Sequence, residues 1–104
     1  MQMAWNENHI SLVGLAGGPA VMSHENHGVP YFRFPLRVSR LSGAEDVLNI
    51  VVAEPVLRQC PVEPGALLAV EGEVRSYNNR SGTGSKLVIT VYARTLERAD
   101  GEHK

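Results

Sequence analysis

Hydrophobic and polar residues alternate along several stretches of this chain, most clearly over residues 30–39. One side of that stretch is apolar and consists of Phe32, Phe34, Leu36 and Val38. The other side is mostly polar and consists of Tyr31, Arg33, Pro35, Arg37 and Ser39. A period of two residues is that of a β-strand, so the apolar side is predicted to face a core. Because proline lacks a backbone N–H, the strand is predicted to lie at an edge or to carry a bulge at Pro35.

Four other segments have strand patterns. The first begins at Asn8, and both of its sides are largely apolar, which predicts cover on both sides and hence contact with a second subunit. Residues 20–28 are predicted to continue it and then form a loop. The third strand is predicted at 46–53, where β-branched side chains are frequent. The fourth and fifth are predicted at 66–78 and 85–97, with inward rows Leu68, Val70, Gly72, Val74 and Leu87, Ile89, Val91, Ala93.

One short helix is predicted between the third and fourth strands. Pro55 suits the first helical turn, and Pro61 disfavours a helical conformation at Cys60, so about two turns are expected. Five strands with a helix after the third indicate an all-β fold, the five-stranded Greek-key barrel called the OB-fold. The predicted domain spans residues 8–97, between an N-terminal arm (1–7) and a disordered C-terminal tail (98–104).

Composition and charge restrict the function. Hydrophobic residues make up 43% and charged residues 20% of the 104 residues, as in ordinary globular proteins. No apolar run approaches the roughly 20 residues of a membrane span, and the first eight residues lack the features of an export signal. With a lone Cys60, these features predict a cytoplasmic protein without membrane association. The net charge of −1 is unlike that of a strongly basic nucleic-acid binder, so the placement of the cations matters more than their sum.

Arginines and tyrosines fall mainly on the outward sides of the predicted strands. Guanidinium groups bind phosphates and aromatic rings stack on bases, so this pattern predicts a surface for single-stranded nucleic acid. The predicted binding residues are Tyr31, Arg33, Arg37, Arg75, Tyr77, Arg80, Lys86, Tyr92 and Arg94. Pairing of these residues with Glu71 and Glu73 across strands is the alternative explanation. Residues 78–85 contain no apolar side chain and are predicted to form a protruding hairpin that closes over a strand; a plain solvated loop is the alternative.

Patterns of catalysis or metal binding are weak. His24 and His27 lie three residues apart, but no cysteine or carboxylate set completes four ligands. Cys60 lies on the apolar side of the short helix, where a buried side chain is expected. Gly82 and Gly84 lack the lysine, serine and helix of a phosphate-binding loop. The sequence therefore predicts no catalytic residue, metal, cofactor or small-molecule substrate, and a protein that is not an enzyme.

Two motifs carry a family resemblance. The segments "NHISLVGLAGGP" (8–19) and "VEGEVRSYNNRSGTG" (70–84) resemble the first and fourth strands of bacterial single-stranded DNA-binding proteins, and the similarity runs over residues 8–97. The resemblance implies an OB-fold that assembles as a dimer or tetramer and holds single-stranded DNA in replication, repair or recombination. The third strand lacks the family's tryptophan and Asn79 stands where an aromatic is frequent, so thinner base stacking is expected. The acidic tip that recruits partner enzymes is also missing from the sequence as given, which predicts a compact member.

The sequence thus predicts sequence-tolerant binding of single-stranded DNA by a homo-oligomer. An OB-fold adaptor that docks onto replication machinery, with weak or no nucleic-acid binding, is the main alternative, and binding to structured RNA is a third.

Overall fold

A computed structural model of the chain describes residues 8–81 and 84–99, with the backbone alone described at 77–81 and 85–88. The predicted N-terminal arm and the tail from residue 100 onward lie outside the described residues. The described chain contains strands β1 (Ile10–Ala16), β2 (Val21–Asn26), β3 (Val29–Ser39), β4 (Glu45–Ala53), β5 (Leu67–Ser81) and β6 (Gly84–Arg98), and helix α1 (Glu54–Gln59).

Five of the strands form a closed barrel. The sheet order is β1-β5-β6-β4-β3-β2, and an additional pairing between β1 and β3 closes the ring. All neighbours are antiparallel except β4 and β6, which are parallel. The helix lies between β4 and β5, which correspond to the third and fourth predicted strands, and a proline lies in its first turn as predicted. The predicted OB-fold is therefore confirmed.

The barrel interior holds a continuous apolar core. Its largest fully buried side chains are Phe34, Leu36, Ile50, Val52, Leu68, Val70 and Val91. Burial of a side chain of this size contributes roughly 1.5 to 3 kcal/mol, so together these residues fix which side of each strand faces inward. Alternate residues of the same strands must then point to the outside. The predicted inward row of β3 is confirmed.

Strand β2 corrects the sequence prediction. Residues 21–26 form a separate strand that pairs with β3, instead of continuing β1 into a loop. His27 and Gly28 have φ values of 52° and 81° and connect the two strands as a two-residue turn. All six β2 side chains are exposed, so the segment has no buried side and hence no apolar alternation to detect.

Pro35 lies where β3 changes partners on one side. Toward its N-terminal half β3 pairs with β2, ending at Arg33, whereas β1 pairs with it from Leu36 onward. The Pro35 carbonyl accepts a hydrogen bond from Gly17 in the connection between β1 and β2. In a β-strand the N–H and C=O of one residue point to the same side. No strand residue pairs with Pro35 on that side, so the missing N–H removes no hydrogen bond of the ladder. This strand is thus interior to the sheet but locally open at Pro35.

Strands β5 and β6 extend beyond the barrel as a two-stranded arm. Their pairing continues to Ser81 and Gly84, whereas β4 pairs with β6 only from Thr90 onward. Most of the tract 78–85, predicted to form a protruding hairpin, therefore continues the two strands. Ile89, predicted to be inward, is 47% exposed because it lies in this arm, past the barrel.

A bulge shifts the register of β6. Gly72 pairs with Ala93 and Glu71 with Thr95, which leaves Arg94 as the extra residue. The shift brings Leu96 into the core, where strict alternation from Ala93 would have placed residues 95 and 97.

Candidate nucleic-acid interface

Outward residues of four barrel strands lie side by side on one face of the barrel. Arg33 of β3 pairs in register with Val51 of β4, which pairs with Tyr92 of β6, and Tyr92 in turn pairs with Glu73 of β5. Because residues in register on one face have neighbouring side chains, this row forms a surface that runs across the strands. We call this surface the outer face.

Aromatic rings and a guanidinium group form a continuous cluster on the outer face. The Tyr31 and Tyr92 ring centroids are 6.4 Å apart, with the rings tilted by 57°. His24 of β2 stacks on Tyr31, with centroids 5.0 Å apart and an interplanar angle of 2°. The Arg75 guanidinium carbon lies 4.1 Å from the Tyr92 ring centroid, a cation–π geometry. The cluster therefore spans β2, β3, β6 and β5.

Glu73 links Arg75 of the cluster to Arg94. Its carboxylate accepts hydrogen bonds from Arg75, with an Nε to Oε2 distance of 2.9 Å, and Arg94 Nη2 lies 3.7 Å from Oε1. The hydrogen bond from Arg75 is the main reason that the pKa of Glu73 lies below its ordinary value of 4.5. Glu73 therefore stays ionised at neutral pH and offsets part of the positive charge of the outer face.

Arg33 differs from the other arginines whose side chains are described. Six of those contact a carboxylate, in the pairs Arg37 with Glu45, Arg40 with Asp46, Arg58 with Glu54, Arg75 and Arg94 with Glu73, and Arg98 with Glu63. Within residues 8–81 and 84–99, Arg33 has no such partner. Among the described side chains of the outer face, its guanidinium is the cation that is available to an anion without first breaking an ion pair.

The predicted binding residues divide into three groups. Tyr31, Arg33, Arg75, Tyr92 and Arg94 lie together on the outer face. Arg37 lies six residues from Tyr31 along β3, roughly 20 Å away, and pairs with Glu45. The side chains of Tyr77, Arg80 and Lys86 lie outside the described residues, although their backbones belong to the arm.

Sequence reasoning missed His24, Asn49 and Thr90 as neighbours of this cluster. His24 was interpreted only as a weak metal ligand, because its strand was not predicted. Asn49 and Thr90 face each other across β4 and β6, a parallel pairing of strands far apart in the chain. Alternation within the third predicted strand makes Asn49 an outward residue. Pairing of that strand with the second would then have placed Asn49 near Arg33.

Other chemistry is not supported by the described part of the chain. No group of three or more His, Cys, Asp or Glu residues there is arranged to hold a metal ion. Cys60 is buried, and desolvation raises the pKa of its thiol above the ordinary 9.0. The one helix within the described ranges is too short to cross a membrane.

Comparison with known proteins identifies similar structures. The N-terminal domain of PriB from Thermoanaerobacter tencongensis, described as dimeric, is 37% identical; the match covers 88% of this chain and 96% of that one, with a TM-score of 0.74. A small single-stranded DNA-binding protein from Streptomyces coelicolor is 15% identical, with 88% and 94% covered and a TM-score of 0.74. A mitochondrial single-stranded DNA-binding protein from S. cerevisiae is 22% identical, with 86% and 92% covered and a TM-score of 0.73.

At 15% and 22% identity, the last two similarities show a shared fold. No family model matches the sequence, and no curated protein matches it either. At 37% identity over 96% of that domain, the similarity to PriB reaches beyond the fold. The chain therefore belongs to the OB-fold proteins of the single-stranded DNA-binding (SSB) type, the group that contains PriB and the single-stranded DNA-binding proteins.

Proposed function

We propose that this protein binds single-stranded DNA on the outer face, with little dependence on sequence at most positions. The observation that carries the proposal is the cluster of Tyr31, Tyr92 and Arg75 beside Arg33, which has no carboxylate partner among the described residues. Two of the similar structures are named as single-stranded DNA-binding proteins, which supports the same function.

The two residue types of the cluster have separate tasks. A tyrosine ring stacks on any base, because every base has a π-face, and each stack contributes about 1 to 3 kcal/mol. The guanidinium groups pair with phosphates, which makes binding dependent on salt. Rings and cations lie beside one another on the outer face, so a flexible strand laid over this surface can place its bases and its phosphates on neighbouring side chains. A duplex, whose bases are stacked inside, cannot use the tyrosines.

Binding of a labelled oligo-dT of about 15 nucleotides, within the site sizes of OB-folds, tests the proposal. Affinity should fall with added salt, with a slope of about 0.7 for each phosphate contact. Tyr92→Ala should weaken binding by about 5- to 150-fold, the equivalent of one base stack, whereas Tyr92→Phe should keep most of the affinity.

Arg58 supplies a matched control for the charge changes. It is an exposed arginine of α1 that pairs with Glu54, outside the outer face. Arg33→Ala should weaken binding and reduce the salt slope by about 0.7, and Arg58→Ala should do neither. If Tyr92→Ala and Arg33→Ala both bind as well as the wild type, the outer face is not the site.

An adaptor that docks onto replication machinery is the second candidate. The ion pairs of Arg37, Arg75 and Arg94 favour it, because paired arginines attract phosphates less. The same titration separates the two candidates. Absence of oligo-dT binding at low salt would favour the adaptor and contradict DNA binding.

A homo-oligomer, a dimer or a tetramer, is part of the proposal. Val13 and Leu15 point outward from β1 and are 54% and 38% exposed. From Ile10 to Gly14, one edge of β1 has no ladder partner among the described residues. An apolar strand with a free edge associates readily, and a second copy is its simplest cover. The similar PriB domain is described as dimeric.

The biological setting follows from the binding activity. A protein that coats single strands without catalysis serves DNA replication, repair or recombination, where such strands arise. We propose that it does so in the cytoplasm. Its role there is to bind and protect the strand, so no cofactor is needed.

A further inference from the structure

A cavity of about 370 Å³ opens on the outer face beside Tyr92. Val51 points outward into it but is only 6% exposed, because Arg33 and Tyr92 flank it in register. Val51 thus provides an apolar floor between a cation and an aromatic ring. The volume lies within the range of small-ligand sites, roughly 300 to 1,000 Å³. A single nucleobase has room there.

The aromatic walls of the cavity are held in place before any ligand binds. Tyr92 has Arg75 packed over its ring, and His24, on the β2 side, is stacked on Tyr31. His24 Nδ1 also lies 3.0 Å from the Ser23 hydroxyl, another group that lines the cavity. Side chains that are already ordered lose little entropy on binding, which favours affinity.

Three other polar side chains at the cavity are unused. Asn49 and Thr90 line it in register with each other, and Arg33 lines it on the β3 side. Among the described residues, none of these three side chains has a hydrogen-bond partner, and no carboxylate lines the cavity. The Asn49 amide offers donors and an acceptor at once, and the guanidinium offers a fork of donors. Such groups around an apolar floor match the edge of a base.

We propose that this cavity binds one purine base of the bound single strand, with its ring against Tyr92 and its edge toward Asn49 and Arg33. The proposal rests on the proposed function and deepens it: most positions of the strand are tolerated equally, and one position selects a purine. Asparagine pairs with two atoms of the adenine edge and arginine with two of the guanine edge, and the larger purine ring also covers more of the tyrosine.

Oligonucleotides that differ at one base test this proposal. The wild type is titrated with oligo-dT of about 15 nucleotides and with the same strand carrying one central dA or dG. The purine-containing strands should bind about 5- to 10-fold more tightly than oligo-dT. This gain is in the lower part of the range for a two-atom contact to a base, because the site is open to water. Asn49→Ala should remove most of the dA preference, because the amide supplies the two-atom contact to adenine. Ser39→Ala, a polar truncation at the far end of β3, should keep the wild-type preference.

The outcomes separate this inference from the proposed function. If oligo-dT binds but the purine-containing strands bind equally well or more weakly, the base pocket is wrong and DNA binding stands. If Asn49→Ala keeps the full wild-type preference for dA, the base is read elsewhere and the assignment to this cavity fails. If none of the strands binds, the proposed function fails, and the pocket fails with it. Circular dichroism of each variant establishes that the barrel is folded.

Discussion

Replacement of Glu73 by glutamine is the most informative single change on the outer face. Glu73 accepts hydrogen bonds from Arg75 and lies 3.7 Å from Arg94, so its carboxylate occupies guanidinium groups that a phosphate would also use. Glutamine keeps the size and an oxygen acceptor but removes the negative charge. The variant is therefore expected to bind single-stranded DNA more tightly, although most single substitutions in a binding surface weaken binding.

The size of the gain follows from the two contacts. Exposed ion pairs are individually weak, and removing the carboxylate frees two guanidinium groups, so we expect oligo-dT affinity to rise by about 2- to 10-fold. The salt slope should steepen by about 0.7 for each arginine that gains a phosphate contact. Because Arg75 holds the pKa of Glu73 below its ordinary value of 4.5, the wild-type carboxylate is ionised at neutral pH. The gain should therefore be constant between about pH 6 and 8.

The assay is fluorescence anisotropy of labelled oligo-dT at several salt concentrations. Glu63→Gln is the matched control, since Glu63 is an exposed carboxylate that pairs with Arg98 outside the outer face. It should leave the affinity unchanged beyond the small effect of net charge. Equal or weaker DNA binding by Glu73→Gln, with the control unchanged, would show that these arginines do not meet phosphate.

Three further predictions concern the barrel and its assembly. Gly72→Ala should lower the free energy of unfolding by about 3 kcal/mol, because a Cβ there collides with the Tyr92 carbonyl oxygen. Gly18→Ala is the control, since a Cβ there meets only ordinary contacts. Urea unfolding of both variants checks this, and equal stability would contradict it. Leu15→Glu should convert the proposed homo-oligomer to a monomer in light scattering, because it places a charge on the exposed apolar side of β1; an unchanged mass would move the interface elsewhere. Cys60, buried and with a raised thiol pKa, should react with a thiol reagent at least about 10-fold more slowly in the folded protein than in urea, and equal rates would refute its burial.

Alternation predicted the fold wherever the barrel buries one side of a strand. In β3, a closed core on one side and solvent on the other produce the period of two that placed Phe34 inward and Arg33 outward. The method failed where that asymmetry is absent. Strand β2 is exposed throughout and therefore carries no apolar alternation. Ile89 continues the apolar row of β6 into the arm beyond the barrel, where no core buries it.

The site needed information that alternation within one strand does not contain. Tyr92 and Val51 are neighbours through a parallel pairing of strands about 40 residues apart in the chain. The pairing of Arg75 with Glu73, two residues away on the same strand, was foreseeable as an alternative to DNA binding. The stack of His24 on Tyr31 was not, because it depends on the hairpin of β2 and β3.

Photo-crosslinking tests the central claim most directly. Oligo-dT with 5-bromodeoxyuridine in place of thymidine is irradiated with the wild-type protein, and the crosslinked residues are identified by mass spectrometry. A base stacked on the outer face should crosslink to Tyr31 or Tyr92, the rings that lie 6.4 Å apart there. Crosslinks confined to α1 or to the apolar side of β1 would contradict the account.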